Sequence, residues 1–283
     1  MKKRRVKKSR IYVLIFILIT IIILAISLIF IRGVKNKVNT KAEKSNEKVK
    51  VDTNNFKLRD GEELVDTTYK GYKVTKLNEV YYVDGVIIVN KTYPLPSTYQ
   101  PQNPYKPITS DYIYGEDYIE KEVMEAYLNM KDEALKQNIN LKITSGYRSY
   151  KVQVDLYNNY MNRDGKEAAD TYSARAGFSE HQSGLCFDLN GTNPNFIETA
   201  EGKWLNDNAY KYGFILRFPK GKEDKTGYMY EGWHFRYVGV ELATKLYNNG
   251  NWISLEEYYG ITSKYTDWSV YFCMSQKRDN IIY

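Results

Sequence analysis

The chain has 283 residues, 43% of them hydrophobic, and a formal net charge of +7. Seven of its 41 Lys and Arg fall within the first ten residues, and setting those aside leaves 34 against 34 Asp and Glu. The remainder is neutral and offers no footing for a nucleic acid or other polyanion, while two cysteines, Cys186 and Cys273, allow at most one intramolecular disulfide and exclude a disulfide-stapled miniprotein.

Residues 1–10 form a basic tail, and the run from Ile11 to Ile31 is uncharged and strongly apolar. Twenty-one helical residues at about 1.5 Å each span about 32 Å, matching a hydrocarbon core of about 30 Å. The sequence therefore predicts a transmembrane helix over 11–31. A cleaved secretory signal would have a shorter apolar run and a small-residue cleavage site, and none precedes Arg32 and Lys35. The Lys/Arg cluster places the N-terminus in the cytoplasm, so a single-pass anchor in the cell membrane would hold everything beyond it on the extracytoplasmic side. Residues 32–63 read as a flexible stalk, because the stretch from Gly33 to Asn55 has no aromatic residue and too little apolar surface to offset the entropy of ordering.

A single domain is expected over 64–260. Alternation between Leu64 and Lys91 predicts short strands, with Asp84-Gly85 as a hairpin turn. Pro94, Pro96, Pro101 and Pro104 then break regular structure and predict an extended surface segment. Val123, Tyr127, Met130 and Ala134 recur at helical spacing and predict an amphipathic helix over 118–137. Leu141 to Thr144 reads as a strand, and Val152, Leu156 and Tyr160 mark the apolar stripe of a second helix behind it. A third helix is expected over 201–212, stopped by Gly213 and followed by a strand from Phe214 to Phe218. Trp233 to Val238 alternates as a strand, and Val240 to Tyr247 is helical. Intermixed strands and helices with short links predict an α+β class, a small largely antiparallel sheet with flanking helices. Residues 261–283, with Trp268, Tyr271 and Phe272, form a C-terminal extension whose role the pattern does not specify.

The only two histidines, His181 and His234, lie in Ser179-Glu-His-Gln-Ser-Gly-Leu-Cys-Phe-Asp188 and Glu231-Gly-Trp-His-Phe-Arg236. A catalytic zinc takes three protein ligands and leaves a position for water, and His181, Asp188 and His234 supply such a set. Gly184 permits the bend between the first two. Glu231, three residues before His234, is placed to act as general base on an attacking water. Arg148, at a strand-to-helix junction, could stabilise an oxyanion or pin a carboxylate, and Gln153 and Ser179 could hydrogen-bond the same substrate.

Three blocks carry a resemblance: Ser-Gly-Tyr-Arg-Ser-Tyr-x-x-Gln at 145–153, Ser-x-His-x-x-Gly-x-x-x-Asp at 179–188 and Glu-x-Trp-His-x-Arg-Tyr at 231–237. Together with Val89 to Pro96 and Arg217 to Tyr228, they resemble the VanY-type zinc D-alanyl-D-alanine carboxypeptidases, a family that shares the Hedgehog/D-Ala-D-Ala peptidase fold. The resemblance covers about Val80 to Tyr259. It implies one Zn2+ per chain on His181, Asp188 and His234, with Glu231 as the base. It also implies Arg148 as oxyanion stabiliser, with Arg148, Gln153 and Ser179 holding the substrate. The implied reaction removes the terminal D-alanine from a peptidoglycan stem peptide, a substrate on the side of the membrane where the topology puts the domain. An L,D-carboxypeptidase acting on tetrapeptide stems has the same motifs, and a catalytically silent wall-binding protein on this fold is an alternative of another class.

The chain departs from the family pattern at Gly232 and Ala176, where proline is usual, and at Cys186, where a small residue such as alanine is favoured. In a strand, residues i and i+2 share a face, so Cys186 is expected on the side of Asp188. Its sulfur would then either approach the metal shell and confer oxidation sensitivity, or act as a small buried filler.

Overall fold

A computed structural model of the chain describes residues 57–105 and 118–266. The predicted tail, membrane helix and most of the stalk lie outside these residues, as do Trp268, Tyr271, Phe272 and Cys273. Among the described residues, no helix is long and apolar enough to cross a membrane.

Asp84 and Gly85, at φ 52° and 80°, turn β3 (Val80–Val83) back onto β4 (Val86–Ile87). This is the left-handed pair that a two-residue Asp-Gly hairpin requires. With β1 (Glu63–Thr67) and β2 (Lys73–Leu77) they form an antiparallel meander in sequential order. The proline-rich segment that follows is extended, as the sequence predicts: Leu95 N donates to Gly177 O at 2.7 Å, and Gln182 Nε2 donates to Pro96 O at 2.9 Å. It ends in β5 (Pro104–Tyr105), paired with β6 (Ile119–Glu120).

The stripe predicted for the first helix is buried in α1 (Lys121–Leu135), which turns Val123, Met124, Tyr127, Met130 and Ala134 to the core. Against this face lies a second sheet of β7 (Ile143–Ser145), β8 (Cys186–Leu189), β9 (Phe214–Phe218) and β10 (Glu231–Tyr237). Its strand order is β7-β8-β10-β9, all antiparallel. In β8 and β10 the alternation separates two tasks. Phe187, Leu189 and Phe235 join the hydrophobic core, while Cys186, Asp188 and His234 gather at a polar cluster.

The second helix, α2 (Tyr150–Asp164), starts at Ser149, whose side chain accepts from Val152 N. Its inward face differs from the one the apolar stripe predicts. Gln153 and Tyr157 are the buried residues, Val152 is 41% exposed, and Leu156 and Tyr160 line an open cleft. The reason is hydrogen bonding: Gln153 reaches Arg148 and Ala174, and Tyr157 donates to Asp170 at 2.6 Å, so the polar side is tethered inward.

The short α3 (Lys166–Tyr172), which the sequence pattern does not reveal, follows directly. The third predicted helix is α4 (Ala200–Asn208), tightened into a 3-10 turn that Gly213 ends in the left-handed region. After α5 (Glu223–Thr226) comes α6 (Val240–Tyr247), with the predicted bounds, and then α7 (Leu255–Tyr259), which opens on a Ser254/Glu257 capping box. Packing continues past Gly260: Arg175 N donates to the Tyr265 hydroxyl at 3.0 Å, and the Arg175 guanidinium lies 3.7 Å from that ring's centre.

Candidate metal centre and cleft

His181 stands on a 3-10 turn, Glu180–Ser183, which Gly184 closes at φ 70°. A Cβ at Gly184 would meet Pro101 at 2.7 Å, so this bend into β8 needs glycine both for its backbone and for its space. The His181 Nδ1 lies 2.7 Å from Gly146 O. A carbonyl only accepts, so Nδ1 carries a proton and Nε2 is the nitrogen turned to the cluster.

That Nε2 lies 3.5 Å from Asp188 Oδ2, and the other carboxylate oxygen, Oδ1, is 3.1 Å from His234 Nδ1. The two imidazoles meet edge to face, their centres 5.0 Å apart, and the strand register sets His234 directly opposite Asp188. Despite these approaches, Asp188 Oδ1 has no hydrogen-bond partner, while His234 Nε2 turns the other way, toward Glu180. A buried carboxylate oxygen left unpaired between two imidazoles is what a bound cation would satisfy.

Electrostatics agree. Burial disfavours charge on the His181 ring, but the nearby Cys186 and Asp188 outweigh it and carry its pKa up to about 9. His234 is likewise raised well above the ordinary imidazole value, against the effect of burial, by Cys186, Asp188 and Glu180. Burial also resists ionisation of Asp188 and Cys186, yet the imidazoles hold the carboxyl well below its usual range and draw the thiol down to about 7. The imidazoles and the acids thus stabilise one another's charged forms in one buried cluster. The residues present therefore fit a divalent metal, with His181, Asp188 and His234 placed to hold it.

Glu231 Oε2 is 3.7 Å from the same His234 Nδ1. Burial lifts its pKa to about 7, with Asp188 repulsion adding and the imidazoles opposing. A carboxylate so poised suits proton transfer near neutral pH. Pairing of β10 with β9 breaks register between Glu231 and Phe235, and Glu231, Trp233 and His234 all line one cleft of about 420 Å³. Gly232 leaves room for the Tyr230 hydroxyl, which a Cβ there would meet at 2.5 Å.

Arg148 also lines this cleft and is held from behind. Its Nη1 donates to Gln153 Oε1 at 2.9 Å, its Nη2 to Ser145 Oγ at 3.1 Å, and its backbone N to His181 O at 3.2 Å. The sequence predicts Gln153 against the substrate. The structure sets it behind the guanidinium, 1% exposed and away from the cleft lining, with Nε2 donating to Ala174 O at 2.6 Å. Ser179 is buried and does line the cleft.

Sequence reasoning passed over Glu180. Its Oε2 lies 3.6 Å from His234 Nε2, while Oε1 accepts from Arg217 Nε at 2.8 Å and Arg236 Nη1 at 3.0 Å. Arg217 in turn makes a two-pronged pair with Glu256 at 2.7 and 2.9 Å, to which Asn90 also donates. Two acids and two arginines, all at most 4% exposed, thus form a neutral lattice beside the candidate metal ligands. Arginines in otherwise apolar strands were the legible signal, because such charges need buried partners.

The family model for VanY D-alanyl-D-alanine carboxypeptidases matches residues 116–240. A D-alanyl-D-alanine carboxypeptidase of Enterococcus faecium is 32% identical over 219 residues, 74% of this chain and 69% of that one. Among solved structures, the LdcB LD-carboxypeptidase is similar at 40% identity and a TM-score of 0.57, over 65% of this chain and 94% of its own. A zinc complex of the D,D-pentapeptidase VanY from a VanB-type resistance cassette is similar at 32% identity and a TM-score of 0.52, over 61% and 97%.

Proposed function

Because the chain belongs to the VanY family of D-alanyl-D-alanine carboxypeptidases, we propose that it is a zinc peptidase that releases the terminal D-alanine of peptidoglycan stem peptides. The observation that carries this reading is Glu231 at 3.7 Å from His234 Nδ1, the nitrogen that Asp188 approaches at 3.1 Å. A proton acceptor adjoins the proposed metal donors at the wall of a cleft, which a mere wall-binding protein has no need to keep.

Zinc on His181 Nε2, Asp188 and His234 Nδ1, one per chain, would supply Lewis acidity to the scissile carbonyl and to an attacking water. The chain's own groups do the rest. Glu231 accepts the water proton and returns it to the departing amine. Arg148, stiffened by Gln153 and Ser145, presents its guanidinium to negative charge on the substrate, and Ser179 offers a hydroxyl along the same wall. Leu156, Tyr160 and Trp233 supply apolar surface that displaces water from the peptide.

D,D-cleavage of pentapeptide stems is the reading that the family name supports. L,D-cleavage of tetrapeptide stems is supported by the 40% likeness to the LdcB LD-carboxypeptidase. Mass spectrometry of stem peptides after incubation decides between them: tetrapeptide accumulating from pentapeptide marks the first, tripeptide from tetrapeptide the second. Glu231→Ala should keep its zinc and lose D-alanine release, and wild-type turnover by that variant would overturn the mechanism. A membrane-anchored, extracytoplasmic location is part of the same proposal and rests on the basic tail and the apolar run 11–31.

A further inference from the structure

β8 brings a second candidate ligand to the proposed metal. Cys186 and Asp188 are two apart on this strand and share its face, and in the antiparallel register Asp188 faces His234 while Cys186 faces Arg236. The Cys186 Sγ and one ring nitrogen each of His181 and His234 all lie within 4.8 Å of one another. Cys186 is fully buried and is not among the residues that line the cleft, whereas Glu231, Arg148 and Trp233 are. The sulfur therefore lies on the closed side of the cluster. A second, independent observation points to a ligand at this place: Asp188 Oδ1 is buried there, on the His234 Nδ1 side, without a hydrogen-bond partner.

Resting on the zinc reading, we propose that the Cys186 thiolate is a fourth protein donor to the metal held by His181, Asp188 and His234, entering from beneath. The shell becomes two nitrogens, one oxygen and one sulfur, and the cleft side stays free for water and substrate, since zinc accepts a fifth partner. A thiolate adds soft character and favours zinc, cobalt or cadmium over magnesium or manganese. The filler reading accounts for the burial of Cys186 but not for its placement beside two imidazoles.

The purified full-length chain loaded with Co2+ tests this without reference to turnover. Expected is a sulfur-to-cobalt charge-transfer band in the near ultraviolet, together with the visible bands of low-symmetry cobalt. In Cys186→Ala and in the closer mimic Cys186→Ser the near-ultraviolet band should vanish while the visible bands persist, and zinc affinity by chelator competition should drop about 10–100-fold. Visible bands in the wild type without the near-ultraviolet band would overturn the thiolate ligand and leave the metal site standing. Absence of both sets of bands would overturn the metal site itself.

Discussion

The two four-stranded sheets of this domain are built on opposite plans. In the meander, β1 to β4 follow one another through short turns, each strand pairs with its sequence neighbour, and all five residues of β1 are exposed. In the second sheet, strands drawn from residues 143 to 237 interleave as β7-β8-β10-β9, and every residue of β8 and β9 is buried. A sheet closed by local hairpins tolerates variation, because each pairing costs little loop entropy and can re-form alone. A sheet closed by distant segments brings chemical groups together that are never neighbours in sequence, and the site lies on that one.

The contrast can be tested from its strongest side downward. Removing an imidazole, by His181→Ala or His234→Ala, should cost most of the bound zinc in elemental analysis, since the chain has no third histidine and only Asp188, Cys186 and one imidazole remain. Next comes Glu231→Gln, expected to lower kcat by about 10²–10⁴-fold with zinc retained. The wild-type pH profile carries the matching sign: Glu231 works as the anion, its pKa is raised to about 7, and so kcat/KM should fall as pH drops through about 7. A smaller but still large loss is expected from Arg217→Met, which leaves buried Glu256 without a cationic partner and Glu180 with Arg236 alone, and should cost about 3–5 kcal/mol in urea unfolding of the metal-free protein. Least affected should be Leu64→Ser in β1, where half the side chain is already in solvent, with a change within about 0.5 kcal/mol. If Leu64→Ser cost as much as Arg217→Met, the two sheets would not differ in the way proposed.

Much of the local structure was legible. The Asp84-Gly85 hairpin, the core stripe of α1, the bounds of α6 and the glycine bend after His181 all follow from propensities that act within a few residues. The inward face of α2 was not legible, because hydrogen bonds from Gln153 and Tyr157 to distant partners overrode the hydrophobic stripe at Val152, Leu156 and Tyr160. Glu180 escaped notice for a related reason. Nothing near it in sequence reveals that Arg217 and Arg236, from two other strands, converge on one of its oxygens.

By itself, then, the sequence named the candidate ligands, since two histidines leave no choice of imidazole, and it separated a basic, apolar N-terminus from a neutral domain. Only the tertiary structure decided which nitrogen of His181 faces the cluster, that Gln153 braces Arg148, and that the Cys186 sulfur lies beside both imidazoles. Residue identity is a local property that a sequence carries outright. Direction, protonation and burial are pairwise properties, and they exist only once strands distant in the chain have locked into register.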